Sequence, residues 1–161
     1  MRKTAILSLV LTFALMFSAL AGGKGSDFWS DCSSEFKKEN WRVYRPHSKN
    51  LAKHGFLVVT TLEQPFEGLR PQHVLAELYG QINELAVMGQ KETSVGGRPG
   101  LVLSFRGALK DQPLVGRAAF AEDGEKTKLI MLVRHSEASN KLLEAFEQLV
   151  KEGTGSLPGT P

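Results

Sequence analysis

Two glycine-bearing turns constrain the architecture more than any other feature of the chain. Gly96-Gly97 separates residues 92–95 from a run over 98–106, and Asp123-Gly124 separates a run over 114–121 from one over 128–134. Both residues of a Gly-Gly pair adopt positive φ without strain, as a two-residue hairpin turn requires. Leu101, Leu103 and Phe105 alternate with Val102 and Ser104, the period-two pattern of a strand. Residues 128–134 (KLIMLVR) are apolar on both faces in their middle, which places that strand centrally in a sheet. Strands joined by short turns pair antiparallel.

Upstream, Trp41-Arg42-Val43-Tyr44 reads as a short strand ended by Pro46, and Gly55 opens a β-branched strand over 56–61. Residues 47–54 read as a polar loop. Pro71 suits the first turn of a helix whose apolar residues, Val74 to Val87, recur at three- and four-residue spacing, with Gly89 as its stop. Phe28, Trp29, Cys32 and Phe36 share one helical face and predict a short N-terminal helix. Ser136 caps a last helix over 137–152, striped by Leu142, Leu143, Phe146, Leu149 and Val150 and ended by Gly153. The expected fold is α+β: an antiparallel sheet of about five to six strands with two long amphipathic helices packed on it. The domain spans 28–152, and the tail over 153–161 reads as disordered.

The first residues are an address. Arg2 and Lys3 precede an uncharged, largely apolar run over 5–20, and Ala19-Leu20-Ala21 supplies the small-x-small pattern of a signal-peptide cleavage site. The run is 16 residues long, short of the about 20 that span a bilayer as a helix. Cleavage near Ala21 gives an exported chain, periplasmic or secreted, that begins with a flexible leader over 22–27. Loss of Arg2 and Lys3 leaves 18 bases against 17 acids, so the formal charge falls from +3 to +1. That balance argues against a nucleic-acid partner.

A charged fraction of 23% and a hydrophobic fraction of 42% belong to a globular chain and exclude collagen-like, disordered and multi-span classes. The single cysteine, Cys32, excludes an internal disulfide framework and a cysteine-rich zinc site. Its four-residue spacing with Phe28 and Phe36 favours burial over a role as a thiol nucleophile beside a base. His47, His54, His73 and His135 have no spacing that requires a shared metal. Neither the Glu63/Glu67 pair nor the acids around Gly124 (Glu122, Asp123, Glu125) stand out from solvated turn residues. No nucleophile elbow is present, and the glycine-rich 96–100 segment leads into a strand, whereas a phosphate cradle leads into a helix. No catalytic residue, cofactor or metal is therefore assigned.

A resemblance lies in the order of these parts. An extended strand and a long helix are followed by Thr93-Ser94-Val95-Gly96-Gly97-Arg98-Pro99-Gly100. That turn leads into Leu101-Val102-Leu103-Ser104-Phe105, two more strands and a closing helix with Phe146. This resembles the PsbP-like fold over about residues 41–152. That fold takes in an extrinsic photosystem II subunit, periplasmic DcrB-type proteins and a nuclear Ran-binding regulator. The resemblance implies a noncatalytic accessory or interaction domain and carries over no active-site residue.

One charge feature points to a surface. Residues 40–62 contain no Asp or Glu, yet hold Arg42, Arg45, His47, Lys49, Lys53 and His54, with Trp41 and Tyr44 interleaved. Such a stretch suits an anionic partner, either a protein face or an envelope polymer, with membrane contact only as surface association. The plainer reading is a basic loop whose aromatics turn into the core. The expected function is an exported, noncatalytic accessory or interaction protein of the cell envelope. The alternative is a small envelope hydrolase or ligand-binding protein with a pocket between sheet and helix.

Overall fold

The computed structural model describes residues 28–36, 39–78 and 82–159. The signal segment over 1–21 and the leader over 22–27 lie outside the described residues. The chain runs β1 (Trp29–Asp31), a 3-10 turn (Ser33–Glu35), β2 (Trp41–Pro46), α1 (Lys49–Ala52), β3 (Gly55–Leu62) and α2 (Pro71–Leu78). It continues through β4 (Asn83–Val95), β5 (Arg98–Leu109), β6 (Gln112–Asp123), β7 (Lys126–His135) and α3 (Asn140–Glu152). All the strands form one antiparallel sheet in the order β1-β2-β3-β7-β6-β5-β4. The α+β class is as expected, but the described residues form seven strands, not five to six. The apolar strand read as central, β7, is the fourth of the seven.

Period-two alternation sends the core to both sides of this sheet. Phe56 and Val58 of β3, with Leu129, Met131 and Val133 of β7, join Val74 and Leu75 of α2 on one face. Leu57 and Val59, with Ile130 and Leu132, join Leu142, Phe146 and Leu149 of α3 on the other. The two helices are thus on opposite faces, and this is why the central strands are apolar throughout. Close packing demands glycine at one point in particular: a Cβ at Gly116 would lie 2.1 Å from the buried Phe105 ring.

Four expectations are corrected. The N-terminal helix is instead β1 and a 3-10 turn. Trp29 packs in the α3-side core while Cys32 and Phe36 pack in the α2-side core, a split that a single helical face could not make. Edge pairing supplies the backbone partners: the Cys32 amide donates to the Val43 carbonyl at 2.9 Å, and the His47 amide to that of Phe28 at 2.7 Å.

The long helix over 71–87 is also shorter than its pattern. Asn83 to Val87 already belong to β4. Register shifts between Asn83 and Ala86 and between Val87 and Gly89, with Glu84 at φ 58°, interrupt the strand's alternation. An extra residue at each bulge turns period two into apparent helical spacing. The closing helix starts at Asn140, four residues after the expected cap, with the Ser139 side chain accepting from the Lys141 amide at 3.3 Å.

The tail expected to be disordered packs along the sheet as far as Gly159. Thr154 and Leu157 are buried, Leu157 within the α3-side core. The Tyr44 hydroxyl donates to the Pro158 carbonyl at 3.0 Å, and the Arg42 guanidinium to the Gly159 carbonyl at 2.9 Å. The segment is a strap across β2.

Candidate functional site

The basic stretch is divided by strand geometry. Arg42 and Arg45 are three apart on β2, so their side chains emerge on opposite faces. Each meets an acid from the preceding segment: Arg42 with Asp31 at 3.3 Å, Arg45 with Glu35 at 3.0 Å. The second Glu35 oxygen, Oε2, is buried with no hydrogen-bond partner among the described residues. Trp41 and Tyr44 are buried, again on opposite faces, as the plainer reading had it. The acid-free window in sequence is therefore not an acid-free surface at β2.

The rest of the stretch stays together. Residues 47–54, read as a polar loop, contain α1, and Ser48 accepts from the amides of Leu51 and Ala52 at its start. Lys49 and Lys53 stand one helical turn apart, and both are exposed, as is His47. His54 is half-buried at the start of β3, its ring 6.4 Å from that of His135 at the end of β7. Burial, and then the charge of His54, lower the His135 pKa below the ordinary imidazole value. His73 lies apart, on α2. Among the described residues no three His, Cys, Asp or Glu side chains gather as a metal site.

Cys32 is buried and its thiol donates to the Val43 carbonyl at 3.3 Å. Burial pushes its pKa from 9.0 up to about 12, and burial likewise pushes Tyr44 from 10.0 up to about 12. Both groups keep their protons in the folded chain at pH values where the unfolded chain loses them. Stability is complete below the unfolded values and declines as pH rises toward the folded ones. Cys32 alone contributes a slope of about 1.4 kcal/mol per pH unit over that window. Urea melts from about pH 9 to about pH 11 should show a falling midpoint, with a shallower fall in Cys32→Ala. An equal slope in the two proteins would mean that the thiol ionises in the folded state.

A second surface lies between sheet and helix, where the alternative reading put a pocket without naming its residues. Helix α3 crosses the sheet obliquely: at one end the Arg134 side chain donates to the Ala138 carbonyl, and at the other the Gly96 amide donates to the Val150 carbonyl at 2.7 Å. The helix therefore leaves part of β4, β5 and β6 uncovered, and a groove of about 470 Å³ opens there. Its floor includes Thr93 of β4 with Val102 and Ser104 of β5. Phe146 and Val150 of α3 wall one side. Lys91 and Arg117 bring two cations, and Glu147 of α3 reaches Arg117 at 3.4 Å. The signal in the sequence was the polar alternation of β4, hidden by the bulge beside Met88, which itself is 63% exposed.

Among the described residues no helix is long and apolar enough to cross a membrane. No family model matches the chain, and no curated protein matches it. Among solved structures, the Ran-binding protein Mog1p of Saccharomyces cerevisiae is similar with a TM-score of 0.53 at 15% identity, over 75% of this chain and 80% of that one. Cyanobacterial PsbP from Synechocystis gives a TM-score of 0.48 at 11% identity, over 83% and 95%. A Pseudomonas aeruginosa protein of unknown function gives 0.49 at 14%, over 66% and 74%. The likeness to Mog1p shows a shared fold, and it is the fold expected from the order of elements, in which a Ran-binding regulator had a place.

Proposed function

We propose that the chain is an exported accessory protein of the cell envelope that works by binding an anionic partner, a protein face or an envelope polymer. The observation that carries this reading is the ridge on the β2–β3 connection. Its exposed His47, Lys49 and Lys53 lie within one short segment that has no acidic residue, while Arg42 and Arg45 are engaged by Asp31 and Glu35. Long cations held one turn apart on a small helix present charge without a pocket, which suits an extended anionic surface. The signal-like first segment, read from the sequence, supports a place in the envelope. That the same fold serves a Ran-binding protein shows it can present a recognition surface.

The test is capture from envelope extract of the source cell by the mature chain, which begins at Gly22. Capture should fail with Lys49→Ala/Lys53→Ala, persist with Arg42→Ala, and weaken in raised salt as screening shortens the reach of the ridge. Equal capture by the two variants would overturn the ridge as the contact. A second reading, a small-ligand protein, is favoured by the groove between α3 and the sheet.

A further inference from the structure

We propose that the groove between α3 and the β4–β5–β6 floor is a binding site for a small amphipathic anion, an apolar body ending in a carboxylate or like-charged head. The inference rests on the reading of the chain as a binding protein, but it concerns a different surface from the ridge.

The arrangement of side chains carries it. Gly89, Ser104 and Arg117 lie in one row across β4, β5 and β6, and Lys91 and Val102 lie in the next. Adjacent strands are about 4.8 Å apart and the two rows about 7 Å apart, so Lys91 and Arg117 flank β5 with their backbones about 12 Å apart, and their long side chains can reach one head group placed over it. Among the described residues lining the groove the only acid is Glu147, which engages one of these two cations and leaves an excess of positive charge. On the neighbouring strand β7, burial, and then the charge of Arg117, lower the pKa of Arg134. Val102 of the floor and Val150 of the helix supply an apolar part of the lining, beside Thr93 and Ser104. A groove of this volume is in the range of small-ligand sites, where an apolar lining gives affinity and a few polar groups fix orientation. Gly89 keeps the wall open: a Cβ there meets nothing within 4 Å, and its φ is not in the left-handed region.

Octanoate, below its micellar concentration, is the probe, titrated into the mature chain and followed by amide chemical shifts. Octanol supplies the same body without charge, and acetate the same head without a body. Saturable shifts at Gly89, Lys91, Thr93 and Ser104 are expected with octanoate, with octanol and acetate each about tenfold weaker or more. Lys91→Gln and Arg117→Gln should each weaken octanoate by about fivefold to tenfold. Glu147→Gln should tighten it about threefold by releasing Arg117, an effect that a merely structural role would not give. Gly89→Leu fills the groove and should abolish binding at an unchanged melting temperature.

Absence of shifts at the groove, octanol binding as tightly as octanoate, or undiminished binding by folded Gly89→Leu would each overturn the site. So would loss of octanoate binding in Lys49→Ala/Lys53→Ala. Octanoate binding that persists while partner capture fails would overturn the ridge reading and leave the groove standing.

Discussion

Phe146→Ala should destabilise the protein by about 3–5 kcal/mol, the range for deleting a buried aromatic ring. Phe146 is fully buried at the middle of the α3 stripe, between Leu142 and Leu149. Ala119 and Ala121 of β6 share its core cluster, and neither methyl group can extend to fill the space. The loss would consume much of the about 5–15 kcal/mol that holds a typical domain. Urea denaturation of the two proteins checks it, and a difference below about 1 kcal/mol would mean that α3 is not seated on the sheet as described.

Removal of the residues after Gly153 should cost about 4 kcal/mol. Leu157 is 3% exposed and packs in the same core cluster as Trp29 and Tyr44, so its loss opens a cavity at the sheet edge. Tyr44 would also lose the acceptor of its hydroxyl, the Pro158 carbonyl, and Arg42 that of Gly159. A hydroxyl left unsatisfied in a part-buried place adds about 1–3 kcal/mol. Leu157→Ala alone should account for at least about 2 kcal/mol. If the truncated chain melts with the full one, the segment lies on the surface without holding β2.

What the sequence disclosed and what it hid follow one physical rule. Elements defined by nearest neighbours were legible: the Gly96-Gly97 and Asp123-Gly124 turns, with Gly96 and Gly97 at φ 59° and 81° and Gly124 at 62°, and the two-faced apolar run of β7. Elements defined by partners distant in sequence were not. Residues 28–36 carry helical spacing, but β2 offers them an unpaired edge, and backbone pairing outweighs their weak local preference. The β5–β6 turn uses Lys110 and Asp111 at φ 46° and 65°, with no glycine to announce it.

The tail has a single large apolar residue, Leu157, and composition alone gives it nothing to pack on. The docking place exists only once β1 and β2 are paired.

The candidate site was legible to the same degree. The absence of acids over 40–62 pointed to the cations of the ridge, but the acids that occupy Arg42 and Arg45 come from residues 31 and 35, outside that window. The groove depends on the oblique path of α3 over the sheet, set by contacts at Ala138 and Gly96, and no local pattern encodes an angle. Its cations come from β4 and β6, 26 positions apart, and meet only through the intervening strand β5.

Site-specific photo-crosslinking in living cells tests the central claim, binding through the ridge, most directly. A photoreactive side chain is placed at Lys49 in one protein and at Gln72 in another; Gln72 is an exposed position on α2 away from the ridge segment. The expected result is one discrete adduct, formed from position 49, absent from position 72 and lost with the added Lys53→Ala change. Adducts of equal yield from both positions, or none from position 49, would contradict binding through this surface.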